Sequence, residues 1–108
     1  MTYQEVLAVY DEIVAQIPEF ERKGKTMPYT SANGYMFSLV NKEGQFGIRL
    51  SKETQKKFIE EHDSGSFYSH GATMRDYVHV PNELLVQQEV MKKYLMESYQ
   101  FVMSLPPK

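Results

Sequence analysis

The stretch from Tyr35 to Leu50 constrains this chain more than any other. Tyr35, Phe37 and Leu39 alternate with Met36, Ser38 and Val40; beyond Asn41-Lys42-Glu43-Gly44, Phe46, Ile48 and Leu50 alternate with Gln45, Gly47 and Arg49. Successive side chains of a strand point to opposite faces, so a period of two on both sides of a short turn predicts an antiparallel hairpin. Gly44 suits the left-handed residue that closes a bulged turn. A two-stranded hairpin is marginal alone and needs more strands or a covering layer.

The flanking sequence supplies both. Val6, Leu7, Tyr10, Ile13, Val14 and Ile17 recur at the helical period; Thr2 and Glu5 are spaced as a capping box, and Pro18 ends the helix. A short strand is expected over residues 25–30, with Pro28 marking a sheet edge and Ser31-Ala32-Asn33-Gly34 forming the turn into the hairpin. After Leu50, Ser51 is an N-cap for a second helix carrying Phe58 and Ile59, broken by Asp63-Ser64-Gly65-Ser66. Short strands are expected near 67–69 and 76–80. Pro81-Asn82-Glu83 then opens one long final helix whose stripe runs Leu84, Met91, Tyr94, Leu95, Ser98, Val102 and Leu105, stopped by Pro106-Pro107. The order α-β-β-β-α-β-β-α predicts an α+β two-layer domain, an antiparallel sheet with helices on one side.

A chain of 108 residues fits one domain, taken as 1–108. It has no cysteine, which removes disulfides, thiolate metal sites and cysteine nucleophiles and fits a reducing compartment. No apolar run is long enough to span a bilayer, and no export signal opens the chain, so the expected setting is the cytoplasm without a membrane partner. Twelve basic and fourteen acidic residues leave a formal charge of −2. The densest basic cluster, Arg22, Lys23 and Lys25, is offset by Glu19 and Glu21, so composition argues against a nucleic-acid partner.

Motifs for catalysis are incomplete. Gly24-Lys25-Thr26 resembles the end of a phosphate loop, but the required earlier glycine is Glu19, so it reads as a turn. His62, His70 and His79 lack metal-ligand spacing, and no metal or cofactor is expected. His62 reads as a solvated helix end and His79 as an outward strand residue. His70, beside Gly71, is the one histidine placed for a site. No Gly-x-Ser-x-Gly elbow or Ser-x-x-Lys pair occurs, so no catalytic residue is assigned. Tyr29, Tyr35, Tyr68 and Tyr77 fall in the strand region, where each offers apolar area and a hydroxyl. The expected function is a non-catalytic binding or interaction module that meets a protein or small ligand through its sheet. Its candidate ligand-binding residues are Lys25, Tyr29, Arg49, His70 and Tyr77. Lys25 and Arg49 would meet an anion while the tyrosines form an apolar wall. An exposed strand edge would also allow a homodimer.

Met27-Pro28-Tyr29, Asn33-Gly34-Tyr35-Met36-Phe37-Ser38-Leu39, Phe46 to Leu50, Asp76-Tyr77-Val78-His79-Val80-Pro81 and the closing Ser104-Leu105-Pro106-Pro107-Lys108 together resemble the TfoX N-terminal domain family. Many members carry Met-Phe-Gly-Gly where this chain has Met27-Pro28-Tyr29-Thr30. The resemblance implies a small bacterial α+β domain in the cytosol, and no catalytic residues. The family name alone suggests one alternative to the binding module, a nucleic-acid-associated transcriptional or competence regulator; His70 suggests another, a small enzyme. Competence regulators of this kind carry a second domain, so the transcriptional role is not carried over.

Overall fold

The computed structural model describes residues 1–69 and 71–108. Helix α1 (Tyr3–Val14) begins at the expected capping box: Thr2 Oγ1 accepts from the Glu5 amide, and the Glu5 carboxylate accepts from the Thr2 amide. Those bonds hold the Glu5 carboxyl below its usual range. The helix stops at Val14, before Pro18, and Ile17 and Phe20 still pack into the core.

Strands β1 (Tyr29–Ala32), β2 (Tyr35–Val40) and β3 (Phe46–Arg49) follow, then α2 (Lys52–His62), β4 (Ser66–Ser69) and β5 (Ala72–Val80). They form one antiparallel sheet in the order β1-β2-β3-β5-β4. The first strand starts later than the expected 25–30. Pro28 has no N–H for a ladder, and regular pairing sets in only at Tyr29, with Lys23 and Tyr29 forming an isolated bridge outside the strand. The turn into β2 is correspondingly tighter, Asn33 and Gly34 alone, both at positive φ (56° and 85°) as a two-residue hairpin turn requires.

The last helix is not continuous. Asn82–Leu85 forms a short α3, and α4 (Gln88–Met103) starts after Gln87, whose ψ of 81° is not helical. Neither Gly nor Pro marks the break. Neighbouring Leu84 and Leu85 of α3 both turn inward, 4% and 0% exposed.

All four helices lie on one side of the sheet, over a core that joins Val6, Tyr10 and Ile13 of α1 to Phe58, Met91 and Leu95 through Phe46, Ile48, Val78 and Val80. The alternation of β2 breaks partway along it. Thr30 pairs with Ser38 but Ser31 pairs with Met36, so Phe37 is an extra residue, a β-bulge. Phe37 and Ser38 therefore both face the helices, and Leu39 and Met36 face away. Phe37 packs edge-on to Phe20 at 4.9 Å between ring centroids. Ser38 Oγ bonds Tyr10 Oη at 2.6 Å and Thr30 Oγ1 at 2.5 Å, a buried hydroxyl chain tying α1 to two strands. Burial pushes the Tyr10 hydroxyl well above its ordinary pKa, so it stays protonated. The single hydroxyl proton of Ser98 on α4 is shared between the carbonyls of Arg49 (2.5 Å) and Phe37 (3.3 Å), near the bulge.

The helix-free side is also covered. Ser66 pairs with Val78 but Phe67 pairs with Met74, so residues 75–77 of β5 have no counterpart on β4 and the hairpin bends there. Beyond the bend it folds across the sheet. Phe67 lies against Gly47 of β3, where even a Cβ would come within 2.5 Å of its ring. The Asn41 side chain donates to the Tyr68 carbonyl at 2.7 Å. Beneath the hairpin Leu39, Phe67 and Tyr77 form a second apolar cluster, flanked by Met27, Tyr29, Met36 and Met74. Among the described residues no helix is long and apolar enough to cross a membrane.

Candidate functional site

Of the four described residues singled out from the sequence, Tyr29, Arg49 and Tyr77 are neighbours on the sheet, and Lys25 lies apart from them. Tyr29 and Tyr77 share the cluster under the hairpin, where Tyr77 is buried and its hydroxyl donates to the Met36 carbonyl at 2.7 Å. Burial raises the Tyr77 hydroxyl's pKa, against a lowering by the Arg49 charge. Arg49 stands at the end of β3, opposite Tyr77 in the ladder, and its guanidinium lies over the rings of Tyr35 (5.2 Å) and Phe101 (5.9 Å). Lys25 is elsewhere, on a shallow groove of about 600 Å³ beside α1, where Arg22 grips Asp11 through two hydrogen bonds of 2.6 and 3.0 Å. His70 lies outside the described residues. Tyr68 is 57% exposed on the outer surface of the hairpin.

A recess forms on the other side of the molecule, where α2 and α4 run past each other. It encloses about 650 Å³, with Phe58, Leu84 and Val90 as apolar lining and Lys57, Glu61, Lys93 and Glu97 around the rim. Its polar feature is a pair. His62 Nε2 lies 2.8 Å from Tyr94 Oη, with the imidazole nearly perpendicular to the phenol ring. Phe58 packs against both rings, at 4.8 Å from His62 and 5.0 Å from Tyr94.

The local sequence explains why these groups meet. Phe58 and His62 are four residues apart and so lie on one face of α2. Tyr94 belongs to the apolar stripe of α4 but sits at its margin, half-buried beside Leu95. Asp63, in a left-handed conformation at φ 50°, ends α2 immediately after the histidine. His62 thus occupies the last turn, as the sequence suggests, but it is half-buried against Tyr94 rather than freely solvated. Burial raises the Tyr94 hydroxyl's pKa, and the Glu61 and Glu97 carboxylates add to the effect. The phenol keeps its proton and donates to Nε2 when the imidazole is in its Nδ1–H tautomer. Sequence reasoning missed the pair because its members are 32 residues apart. The available signal was the periodicity itself, which puts Phe58 and His62 on one helix face and Tyr94 at the edge of another.

The chain matches no protein-family model and no curated protein. A recess with an apolar floor, one orienting polar pair and charges of both signs at the rim can hold a ligand by burial and fix its orientation by hydrogen bonding. Among the described residues no group of three or more histidines, aspartates or glutamates is placed to hold a metal ion.

Proposed function

We propose that this chain is a binding module whose ligand seats in the recess between α2 and α4. The observation that carries this reading is the His62–Tyr94 hydrogen bond set in an apolar recess with oppositely charged residues on its rim. The ligand it fits has an apolar or aromatic body, for Phe58, Leu84 and Val90, and a polar head group with both donor and acceptor capacity. A small molecule or an amphipathic helix laid along the recess would satisfy both demands. Recognition rather than catalysis is the simpler role, because the two polar groups satisfy each other and no third group is hydrogen-bonded to them among the described residues.

Pairing between two copies through a strand edge has weaker support. The outer strand β1 is met by the Lys23 bridge, and the Tyr68 carbonyl of β4 is engaged by Asn41. Placing the chain with TfoX N-terminal domains rests on the resemblance of its segments alone, without a matching family model. Its lack of cysteine is compatible with a bacterial cytoplasm.

The reading is tested by NMR of the ¹⁵N-labelled chain, titrated with small fragments that each join one aromatic ring to one charged group. Amides of residues 57–62 and 87–97 should shift as a set, and Val90→Trp, which plugs the recess, should abolish the response. Saturable shifts confined to the hairpin side, or an unchanged response in Val90→Trp, would overturn it.

A further inference from the structure

Arg49 is a mostly buried cation with few oxygen acceptors around it among the described residues. Its side chain is 19% exposed, and its Nε–H is buried with no hydrogen-bond partner among the described residues. Asp76 Oδ2 stands 3.5 Å from Nη2, at the outer limit of hydrogen-bond distance, and is itself nearly half exposed. A guanidinium stays charged inside proteins, so a site that shelters one from water usually supplies oxygen acceptors. Here the rings of Tyr35 and Phe101 offer their faces instead. Such contacts offset part of the desolvation but occupy none of the planar donor fork. A second cation stands close by: Lys108 Nζ is 5.1 Å from the centre of the Tyr35 ring.

This position is well fixed. The Tyr35 hydroxyl donates to the Pro106 carbonyl at 2.6 Å, and the Lys108 amide donates to the Asn33 carbonyl. Arg49's own carbonyl accepts from Ser98. The backbone around the guanidinium is therefore pinned on three elements, as a preorganised contact point requires.

We propose that Arg49 is an oxyanion anchor, a second binding point that takes a carboxylate or phosphate on the exposed end of its guanidinium, with Lys108 adding to the local positive charge. The site is independent of the α2–α4 recess. Two arms separate the ligand classes. Sodium phosphate and sodium acetate are titrated into the ¹⁵N-labelled protein at constant ionic strength set with chloride, and the Arg49 Nε–Hε signal is followed. A saturable shift of that signal is expected with at least one anion. Response to phosphate alone assigns a phosphate-bearing ligand, and response to both assigns oxyanions generally.

Arg49→Gln should remove the accompanying anion-dependent shifts of the Asp76 and Tyr77 backbone amides, which remain observable in that variant. Because that change could also disturb the fold, Asp76→Asn is the second variant. It removes the competing carboxylate, keeps the arginine, and should lower the anion midpoint several-fold. If Arg49 serves only as a structural partner of Asp76, Asp76→Asn will instead leave the Nε–Hε signal insensitive to both anions. That outcome, or no saturable shift in the wild-type protein, overturns the proposal.

Discussion

Replacing Gly47 with alanine tests how the helix-free side is closed. The new Cβ would lie 2.5 Å from Cδ2 and Cε2 of Phe67 and 2.7 Å from its Cγ, about 1 Å inside ordinary contact. The ring cannot simply swing aside. It is 1% exposed and packed against Tyr77, with ring centroids 6.1 Å apart. The hairpin must lift, and overpacking of this kind costs about 1–3 kcal/mol. With a urea m-value on the order of 1–3 kcal/mol per molar, the unfolding midpoint should fall by about 1 M. The cost arises from one contact, so a double-mutant cycle isolates it. Phe67→Ala alone should cost about 3–5 kcal/mol through its cavity. Adding Gly47→Ala to that background should be nearly free, because the methyl enters vacated space. Equilibrium urea unfolding followed by circular dichroism measures all four proteins. If Gly47→Ala costs the same with and without Phe67, or nothing in the wild type, the ring does not sit on Gly47 and the folded-over hairpin is wrong.

Two further outcomes follow from particular bonds. Asn33 Nδ2 donates at 2.9 Å to the carbonyls of both Val102 and Leu105, capping the end of α4 from the β1–β2 turn. Asn33→Gly, which tolerates the positive φ, should lose about 1–2 kcal/mol of stability for those bonds, and Asn33→Ala about 1 kcal/mol more for its left-handed backbone; equal stability of all three proteins in urea would contradict the cap. His79 has its pKa lowered from 6.5 by burial, so its neutral form is favoured in the folded state. That group contributes stability above pH 6.5 that is lost as pH falls toward the lower folded value. Relative to His79→Gln, the wild-type protein should lose stability on acidification below pH 6.5, and parallel profiles would exclude this origin.

The helical segments and the central hairpin were legible because each rests on a local period and a local stop. The Thr2–Glu5 box, the Ser51 cap and Gly44, with φ 76°, act within four residues of the structure they fix. The bulge at Phe37 was not legible. Strict alternation groups Phe37 with Leu39, whereas Ser38 is drawn inward by Tyr10, 28 residues away, and by Thr30. The break at Gln87 also has no local signal, since neither Gly nor Pro stands there. The candidate site was the least visible part. Arg49 and Tyr77 were named separately from the sequence, and only the strand register shows them opposite each other across the ladder. A tyrosine-bearing strand says nothing of what folds over it, and here Phe67 covers the face to which Tyr29 and Tyr77 belong. His62 looked solvated because its partner lies on a helix remote in sequence.

The accessible recess lies between α2 and α4, and the hairpin closes the opposite face of the sheet. Methyl NMR in the presence of a neutral soluble nitroxide reads both surfaces at once. Val90, half-buried in the recess, should broaden strongly, whereas Leu39, 0% exposed beneath the hairpin, should stay sharp. Leu39 broadening as much as Val90 would mean that the sheet face is open and the recess is not the distinctive surface.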